Sequence, residues 1–132
     1  VGYMSWDQIR EMSAYRTSSG RKLFFFESHS LTHRMMDQLG VEEIRHELLI
    51  SKQVIEEQLG ELVTVLALPF GSGAGESRII DEARALGYQA IRTSVTEVVP
   101  TKSINAWSIG AMNVENYSTD VFVQKVLALT RR

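Results

Sequence analysis

The fold is decided by residues 62–93, which read LVTVLALPFGSGAGESRIIDEARALGYQAIRT. Residues 62–68 form an apolar run that predicts a buried strand, and the Gly-rich residues 69–75 predict the loop that follows it. The spacing of apolar residues predicts a helix over residues 77–86, and residues 88–93 predict a second strand. A strand, a helix and a further strand in this order favour a right-handed crossover between parallel strands. The stretch therefore predicts a parallel α/β unit.

Upstream of this unit, the sequence predicts another strand and a short helix. Residues 22–28 contain three consecutive phenylalanines and predict a strand buried on both faces, the pattern expected within a parallel sheet. Ser5 and Gln8 have the spacing of a capping box, so we expect a helix over residues 6–14. Both elements extend the alternation of strands and helices toward the N-terminus.

The remaining segments continue this alternation. Residues 41–59 carry an apolar stripe and are followed by Gly60, which predicts a helix with one buried face. Residues 104–109 predict a fourth strand, and a last helix is expected to begin at Ser118. We therefore expect one α/β domain over residues 1–132, built as an open parallel sheet or as part of a barrel.

The composition excludes several classes of function. The chain has 132 residues, of which 44% are hydrophobic and 23% charged, enough for one domain with a core. A total of 14 basic and 16 acidic residues gives a net charge of -2 without any block of one sign, so we expect no nucleic-acid partner. The apolar runs are shorter than the roughly 20 residues of a membrane span. Since the chain has no cysteine, any metal must be held by His, Asp or Glu.

Two segments occupy the places where parallel α/β folds carry their sites, at the carboxyl ends of strands. Residues 28–33 read SHSLTH and residues 68–71 read LPFG. The spacing of His29 and His33 lets one turn or tight loop direct both imidazoles at one metal ion. The alternative is that His29 only ends a strand while His33 is solvated. The third histidine, His46, lies off the apolar face of its helix, so we expect it at the surface.

Residues 28–33 resemble the second motif of the NodB-type polysaccharide deacetylases (carbohydrate esterase family four), which reads Ser-His-Ser/Thr-x-x-His. Residues 4–12, MSWDQIREM, are similar to the family's Met-Thr-Trp-x-Gln-Leu-x-x-Met helix. Residues 67–71, ALPFG, resemble its third motif, often Arg-x-Pro-Tyr-Gly, and residues 80–93 resemble the helix, Gly-Tyr pair and strand that follow. The likeness extends over residues 3–93 and thins out beyond them.

The resemblance implies a metal-dependent hydrolase that removes acetyl groups from a polysaccharide or an amino sugar. In this family both motif histidines bind a divalent metal, usually zinc, which makes His29 and His33 the candidate metal ligands. The family fold is an incomplete β/α barrel, so the resemblance implies a partial barrel whose N-terminal strands precede this chain. It also implies a carbohydrate substrate and a location in the cell envelope or outside the cell.

The third motif suggests a wall for the substrate. Pro69 would fix the backbone so that the amide of Phe70 can face an oxyanion, which makes Phe70 the candidate catalytic residue. Phe70 and Trp107 are expected to stack on a sugar face, with Pro69 beside them, and Arg92 either reaches the strand-end site or lies on the surface. The alternative for Phe70 is a core aromatic that follows a strand.

Parts of the family pattern have no counterpart here. The family's catalytic aspartates form an Asp-Asp pair that this sequence lacks, and no histidine follows residue 100 to serve as the family's general acid. Glu27 is the candidate replacement for the missing ligand or base, the alternative being a charge at a strand end. The rival hypothesis is therefore a catalytically inactive deacetylase-like domain that binds glycan or serves as a structural module.

The same reasoning bears on assembly. Without further strands beside it, the segment over residues 22–28 is a sheet edge with exposed phenylalanines. We expect such an edge to pair with a second copy and give a homodimer. The competing expectation is that residues 1–14 fold back over the exposed face and give a monomer.

Overall fold

The computed structural model describes residues 2–97 and 102–130. Six regular elements follow one another within these residues: α1 (Trp6–Ala14), α2 (Val41–Leu59), β1 (Val65–Ala67), α3 (Ser77–Ala85), β2 (Ala90–Arg92) and α4 (Thr119–Thr130). Short 3-10 turns lie at Met36–Gln38 and Pro69–Gly71. Each predicted helix is present, with bounds that agree with the prediction to within one residue.

Local signals at the helix ends explain this agreement. The Ser5 hydroxyl accepts the amide of Gln8 at 3.3 Å and the Gln8 side chain accepts the amide of Ser5 at 2.8 Å, which confirms the capping box. α2 ends at Gly60, whose φ of 66° is the left-handed conformation that glycine adopts without strain. Among the described residues, no helix is both long enough and apolar enough to cross a membrane.

β1 and β2 pair in parallel with Leu66 opposite Ile91, and α3 makes the crossover between them. On the other side of β1, Ser28 forms a single parallel bridge to Leu66, and on the other side of β2, Ile109 forms one to the end of that strand. The strand predicted over residues 104–109 is therefore reduced to one bridge. The predicted α/β class with parallel strands is confirmed.

The prediction of a doubly buried strand over residues 22–28 is wrong. Within the described chain, Ser28 alone of this segment bridges to β1, and Phe25 leaves 69% of its surface exposed. The physical reason lies in Glu27, whose carboxylate accepts two consecutive backbone amides at the start of β1, at 2.8 and 2.9 Å. A side chain thus occupies the backbone donors that a longer parallel strand would need.

The core lies between the sheet and one face each of α2 and α3. Its members on the regular elements include Ile44 and Leu48 on α2, Leu66 on β1, Ile79 on α3 and Ile91 on β2, each with less than 2% of its surface exposed. Burial of this size stabilises the fold by about 1.5–3 kcal/mol for each side chain. The packing fixes the carboxyl ends of β1 and β2 relative to α2, and the candidate site lies at those ends.

α1 packs against the C-terminal part of α2 rather than over the exposed phenylalanines. The Arg10 guanidinium donates to the side chain of Gln58 on α2 at 2.6 Å. Phe25 stays mostly exposed. Residues 2–14, the described part of the N-terminal segment, therefore do not cover this face, and the expectation that they would is not met. A homodimer through this edge stays a prediction.

Candidate active site

Residues 28–33, called the histidine loop below, turn sharply after the bridge to β1. Ser30 and His33 have φ values of 67° and 61°, in the left-handed region that residues other than glycine seldom adopt. The Ser30 hydroxyl accepts the amide of His33 at 3.0 Å and closes a tight turn. Each left-handed residue costs about 1–2 kcal/mol, so the surrounding structure must hold this loop in place.

The two imidazoles of the histidine loop meet. Nε2 of His29 lies 3.1 Å from Nε2 of His33. Because a carbonyl only accepts, Nδ1 of His29 donates to the carbonyl oxygen of Ala67 at 2.8 Å, and in the neutral imidazole this leaves the lone pair on Nε2, which faces the other ring. The two rings thus converge at the carboxyl end of a strand, as their spacing predicts.

The donor set of the histidine pair fits a divalent metal ion. Two Zn–N bonds of about 2.0–2.1 Å each can span the 3.1 Å between the two Nε2 atoms. The hydrogen bond from His29 to Ala67 is of the kind that orients metal-binding imidazoles. Within residues 2–97 and 102–130, no group of three or more His, Cys, Asp or Glu side chains is arranged to hold a metal. The fit therefore rests on two imidazoles.

Glu27, the predicted replacement ligand or base, lies elsewhere. Its carboxylate accepts the amides of Thr64 and Val65, at the N-terminal end of β1. His29 instead contacts Ala67, at the opposite end of that strand. The hypothesis that Glu27 completes the metal site is wrong, because its carboxylate is engaged in holding the start of β1.

The Pro69–Gly71 turn, called the Phe70 turn below, follows β1 directly. Phe70 leaves 66% of its surface exposed, so the alternative of a core aromatic is wrong. Its ring centroid lies 4.7 Å from that of His33 in an edge-on arrangement. Pro69 has less than 2% of its surface exposed, so its side chain is not open to a substrate, which corrects its prediction as a substrate contact.

The Phe70 turn is held by its own backbone. The amides of Gly71 and Ser72 each donate to the carbonyl three residues earlier at 3.0 Å, and the Phe70 amide takes no part in these bonds. Gly71 has a φ of 68°, and a Cβ at this position would lie 2.9 Å from the backbone nitrogen of Ser94. Glycine is therefore required where the turn approaches the segment that follows β2.

A cleft of about 390 Å³ opens beside the two loops, at the carboxyl ends of β1 and β2. It is lined by His29, Leu68, Phe70, Arg92, Ser94, Ala111 and Asn113. Three residues singled out in the sequence, His29, Phe70 and Arg92, thus share one cleft. The polar side chains of Ser94 and Asn113 were not predicted, because they lie in segments without a recognisable motif.

Two further predicted positions lie away from this cleft. Trp107 is partly buried against the core, and the Arg84 guanidinium on α3 lies 4.5 Å from the centre of its ring. The structure therefore does not bring Trp107 together with Phe70, because α3 already covers the indole. His46 is exposed on α2, as predicted.

Sequence reasoning missed Glu47, which lies on the buried face of α2 with 3% of its surface exposed. Its carboxylate accepts the amides of Leu31 and Thr32 at 2.9 and 2.8 Å, and also the Thr32 hydroxyl. Burial raises the pKa of Glu47, but the hydrogen bonds from Thr32 and Leu31 outweigh it and lower that pKa below the usual range. The available signal was an acidic residue between Ile44 and Leu48 in the buried stripe of a helix, where an unpartnered charge is costly.

In parallel α/β folds the active site lies at the carboxyl ends of the strands, which is where the histidine pair and the cleft lie in this chain. The family model described as polysaccharide deacetylase matches residues 4–91, and the chain belongs to this family. The matched range runs from α1 into β2 and contains both the histidine loop and the Phe70 turn. The resemblance drawn from the motifs is therefore confirmed.

Solved structures with a similar fold include the Streptococcus pyogenes deacetylase PplD in complex with acetate, with a TM-score of 0.76 and 19% identity. A polysaccharide deacetylase from Bacillus cereus has a TM-score of 0.75 and 23% identity. These matches cover 92% and 95% of this chain, but only 50% and 37% of the other chains, so the chain spans half of their length or less. A pseudoenzyme of carbohydrate esterase family four from Bacillus anthracis is also similar, with a TM-score of 0.51 and 23% identity over 79% of this chain and 41% of that one. No curated protein sequence is significantly similar to this chain.

Proposed function

We propose that this chain carries the metal-binding residues and part of the substrate cleft of an enzyme that hydrolyses acetyl groups from a polysaccharide or an amino sugar. The observation that carries the proposal is the pair of Nε2 atoms of His29 and His33, 3.1 Å apart and beside the exposed ring of Phe70. Membership of the polysaccharide deacetylase family supports the same class of reaction.

In this proposal the two imidazoles hold a divalent metal ion, and zinc is expected from a histidine donor set. When bound, such an ion polarises an acyl carbonyl and lowers the pKa of water toward neutrality. His29 contributes a lone pair of fixed direction, because Ala67 accepts its Nδ1 hydrogen. His33 is placed by the turn that the Ser30 hydroxyl closes. The chain's own task here is to present two nitrogen atoms in a fixed arrangement.

The proposed role of Phe70 is to bind the acetyl oxygen and the sugar. Its amide takes no part in the hydrogen bonds of the turn, which supports a role as donor to an oxyanion. Its exposed ring offers an apolar face for stacking on a sugar. Arg92, Ser94 and Asn113 line the same cleft and supply polar groups for carbohydrate hydroxyls.

Acetate release from an acetylated oligosaccharide in the presence of Zn²⁺ tests this proposal. We expect the 132-residue chain alone to be nearly inactive, since the family's aspartate pair has no counterpart in it, and a longer chain that supplies this pair to be active. In the longer chain, His33→Ala should lower the rate by about 100-fold or more. His46→Ala is the matched control, because His46 is exposed on α2 away from the cleft.

Equal rates for His33→Ala and His46→Ala would contradict the metal role of the histidine pair. Robust acetate release by the 132-residue chain, abolished by His29→Ala, would support the reaction but contradict the expectation that its catalytic set is incomplete.

The rival hypothesis of an inactive glycan-binding domain rests on the missing aspartate pair and the missing late histidine, and neither the described structure nor the comparisons add an observation in its favour. The similarity to a pseudoenzyme concerns the fold alone, because the identity is 23%. A location in the cell envelope or outside the cell is a further part of the proposal, since it follows from a polysaccharide substrate.

A further inference from the structure

The buried face of α2 contacts the histidine loop on both sides of His29. Before His29, the Ser28 hydroxyl lies 2.8 Å from the hydroxyl of Ser51, which is 5% exposed. After His29, Glu47 accepts hydrogen bonds from Leu31 and Thr32. Both α2 residues lie in the same stripe as the buried apolar side chains of that helix. Hydrogen bonds to two polar side chains on the buried face of α2, Glu47 and Ser51, thus hold the loop that carries the two imidazoles.

The geometry of the loop and the hydrogen bonds of Glu47 depend on each other. The two left-handed residues, Ser30 and His33, stand on either side of the pair that donates to the carboxylate. The backbone conformation that directs the amides of Leu31 and Thr32 toward α2 is therefore the one that returns His33 toward His29. A buried carboxylate is costly without hydrogen bonds, so Glu47 strongly favours this single conformation.

Glu47 acts on the imidazoles through the loop and not by direct contact. Its Oε2 accepts both backbone amides, and its Oε1 accepts the Thr32 hydroxyl, so both carboxylate oxygens are engaged. We infer that Glu47 is a positioning residue that sets the 3.1 Å separation of the two Nε2 atoms and thereby raises the metal affinity of the histidine pair. The inference rests on the proposed function, because it takes this pair to be a metal site.

The test is a titration of the 132-residue chain with Co²⁺, followed by its visible absorption, at a temperature at which circular dichroism shows every variant folded. Glu47→Gln replaces an acceptor oxygen by an amide group that cannot accept, so we expect the dissociation constant for Co²⁺ to rise by about 10–100-fold. The absorption band should also change shape, because the two nitrogen atoms no longer hold one arrangement. Thr32→Val removes the hydroxyl donor alone and should give a smaller rise.

The matched control is Glu82→Gln. Glu82 is also a buried helical glutamate, with 8% of its surface exposed, and it accepts two hydrogen bonds from Arg45 at 2.7 and 3.1 Å, away from the histidine loop. This variant should lose stability without any change in Co²⁺ affinity or in the absorption band.

Equal Co²⁺ affinities for Glu47→Gln and Glu82→Gln would overturn the inference and leave the proposed function standing. If Glu47→Gln does not fold, Thr32→Val decides the matter, and an affinity equal to that of the wild type overturns the inference. Absence of Co²⁺ binding by the wild-type chain, or binding that persists in His33→Ala, would overturn the proposed function and the inference together.

Discussion

The histidine loop and the Phe70 turn lie side by side at the carboxyl ends of the strands, and both contain a left-handed residue other than glycine. They are held in different ways. The histidine loop is held by a different element, α2, through buried side chains that include Glu47. The Phe70 turn is held by its own backbone hydrogen bonds and by the close approach of Gly71 to Ser94. One half of the candidate site therefore depends on the helix layer, and the other depends on the neighbouring loop.

This difference implies that the two halves respond to different substitutions. Changes on α2 should alter the histidine pair and spare the exposed ring of Phe70, whereas changes at Gly71 should do the reverse. In the proposed enzyme the metal ligands and the wall of the substrate cleft are thus supported separately.

The largest effect is expected from Gly71→Ala. The left-handed backbone of Gly71 and the 2.9 Å approach of a Cβ to Ser94 both oppose a side chain. We expect the free energy of unfolding to fall by about 2–4 kcal/mol, and the cleft beside Phe70 to be distorted. Urea denaturation measures the loss of stability, and NMR chemical shifts should change most at Phe70 and Ser94.

Gly75→Ala is the control for this substitution. Gly75 has a φ of 82°, but no atom lies within 4 Å of a Cβ built there, so this variant reports the backbone strain without the collision. Its loss should be about 1–2 kcal/mol. Equal losses for the two variants would show that the approach to Ser94 does not hold the Phe70 turn.

A smaller effect is expected from Glu56→Gln, which tests whether α2 also supports the strand that leads to the Phe70 turn. Glu56 accepts the Lys52 ammonium at 2.7 Å and the amide of Val63, just before β1, at 2.9 Å. The hydrogen bond from Lys52 is the main cause of a lowered pKa for Glu56. Since this pair is partly exposed, we expect a loss below about 1 kcal/mol at neutral pH.

The dependence of this effect on pH has a definite sign. Because the pKa of Glu56 is lowered by folding, its contribution is fully present above the usual glutamate value of about 4.3 and is lost as the pH falls through the lower folded value. The stability of Glu56→Gln should therefore be below that of the wild type at neutral pH and converge with it in acid. Glu57 is an exposed neighbour, so the stability of Glu57→Gln should equal that of the wild type at every pH. A Glu57→Gln variant that is less stable than the wild type at neutral pH and equally stable in acid would contradict this account.

The helices and the position of the site could be predicted because their signals are local in sequence. The Ser5 and Gln8 capping box, Gly60 and the apolar spacing of α2 each act within a few residues. The spacing of His29 and His33 likewise needs only one turn of chain to bring the rings together.

The remaining features depend on contacts between distant segments. The Glu27 carboxylate accepts the amide of Thr64, 37 positions further along the chain, and so takes the place of the backbone pairing that the three phenylalanines predict. The hydrogen-bond partners of Glu47 lie 15 and 16 positions before it, so no local pattern distinguishes this buried carboxylate from the other acidic residues of α2. Trp107 packs under Arg84, an interaction to which no pattern in the sequence points.

The most direct test of the central claim is a zinc titration of the 132-residue chain by isothermal calorimetry, with the wild type, His29→Ala, His33→Ala and His46→Ala. We predict one weak zinc site for each wild-type chain, because two imidazoles leave half of a tetrahedral shell to water. After dialysis the chain should therefore retain well below one equivalent of zinc. Either substitution in the histidine pair should abolish the site, and His46→Ala should keep it. Zinc binding that survives both His29→Ala and His33→Ala, or stoichiometric zinc that resists a chelator, would contradict a site built from these two imidazoles.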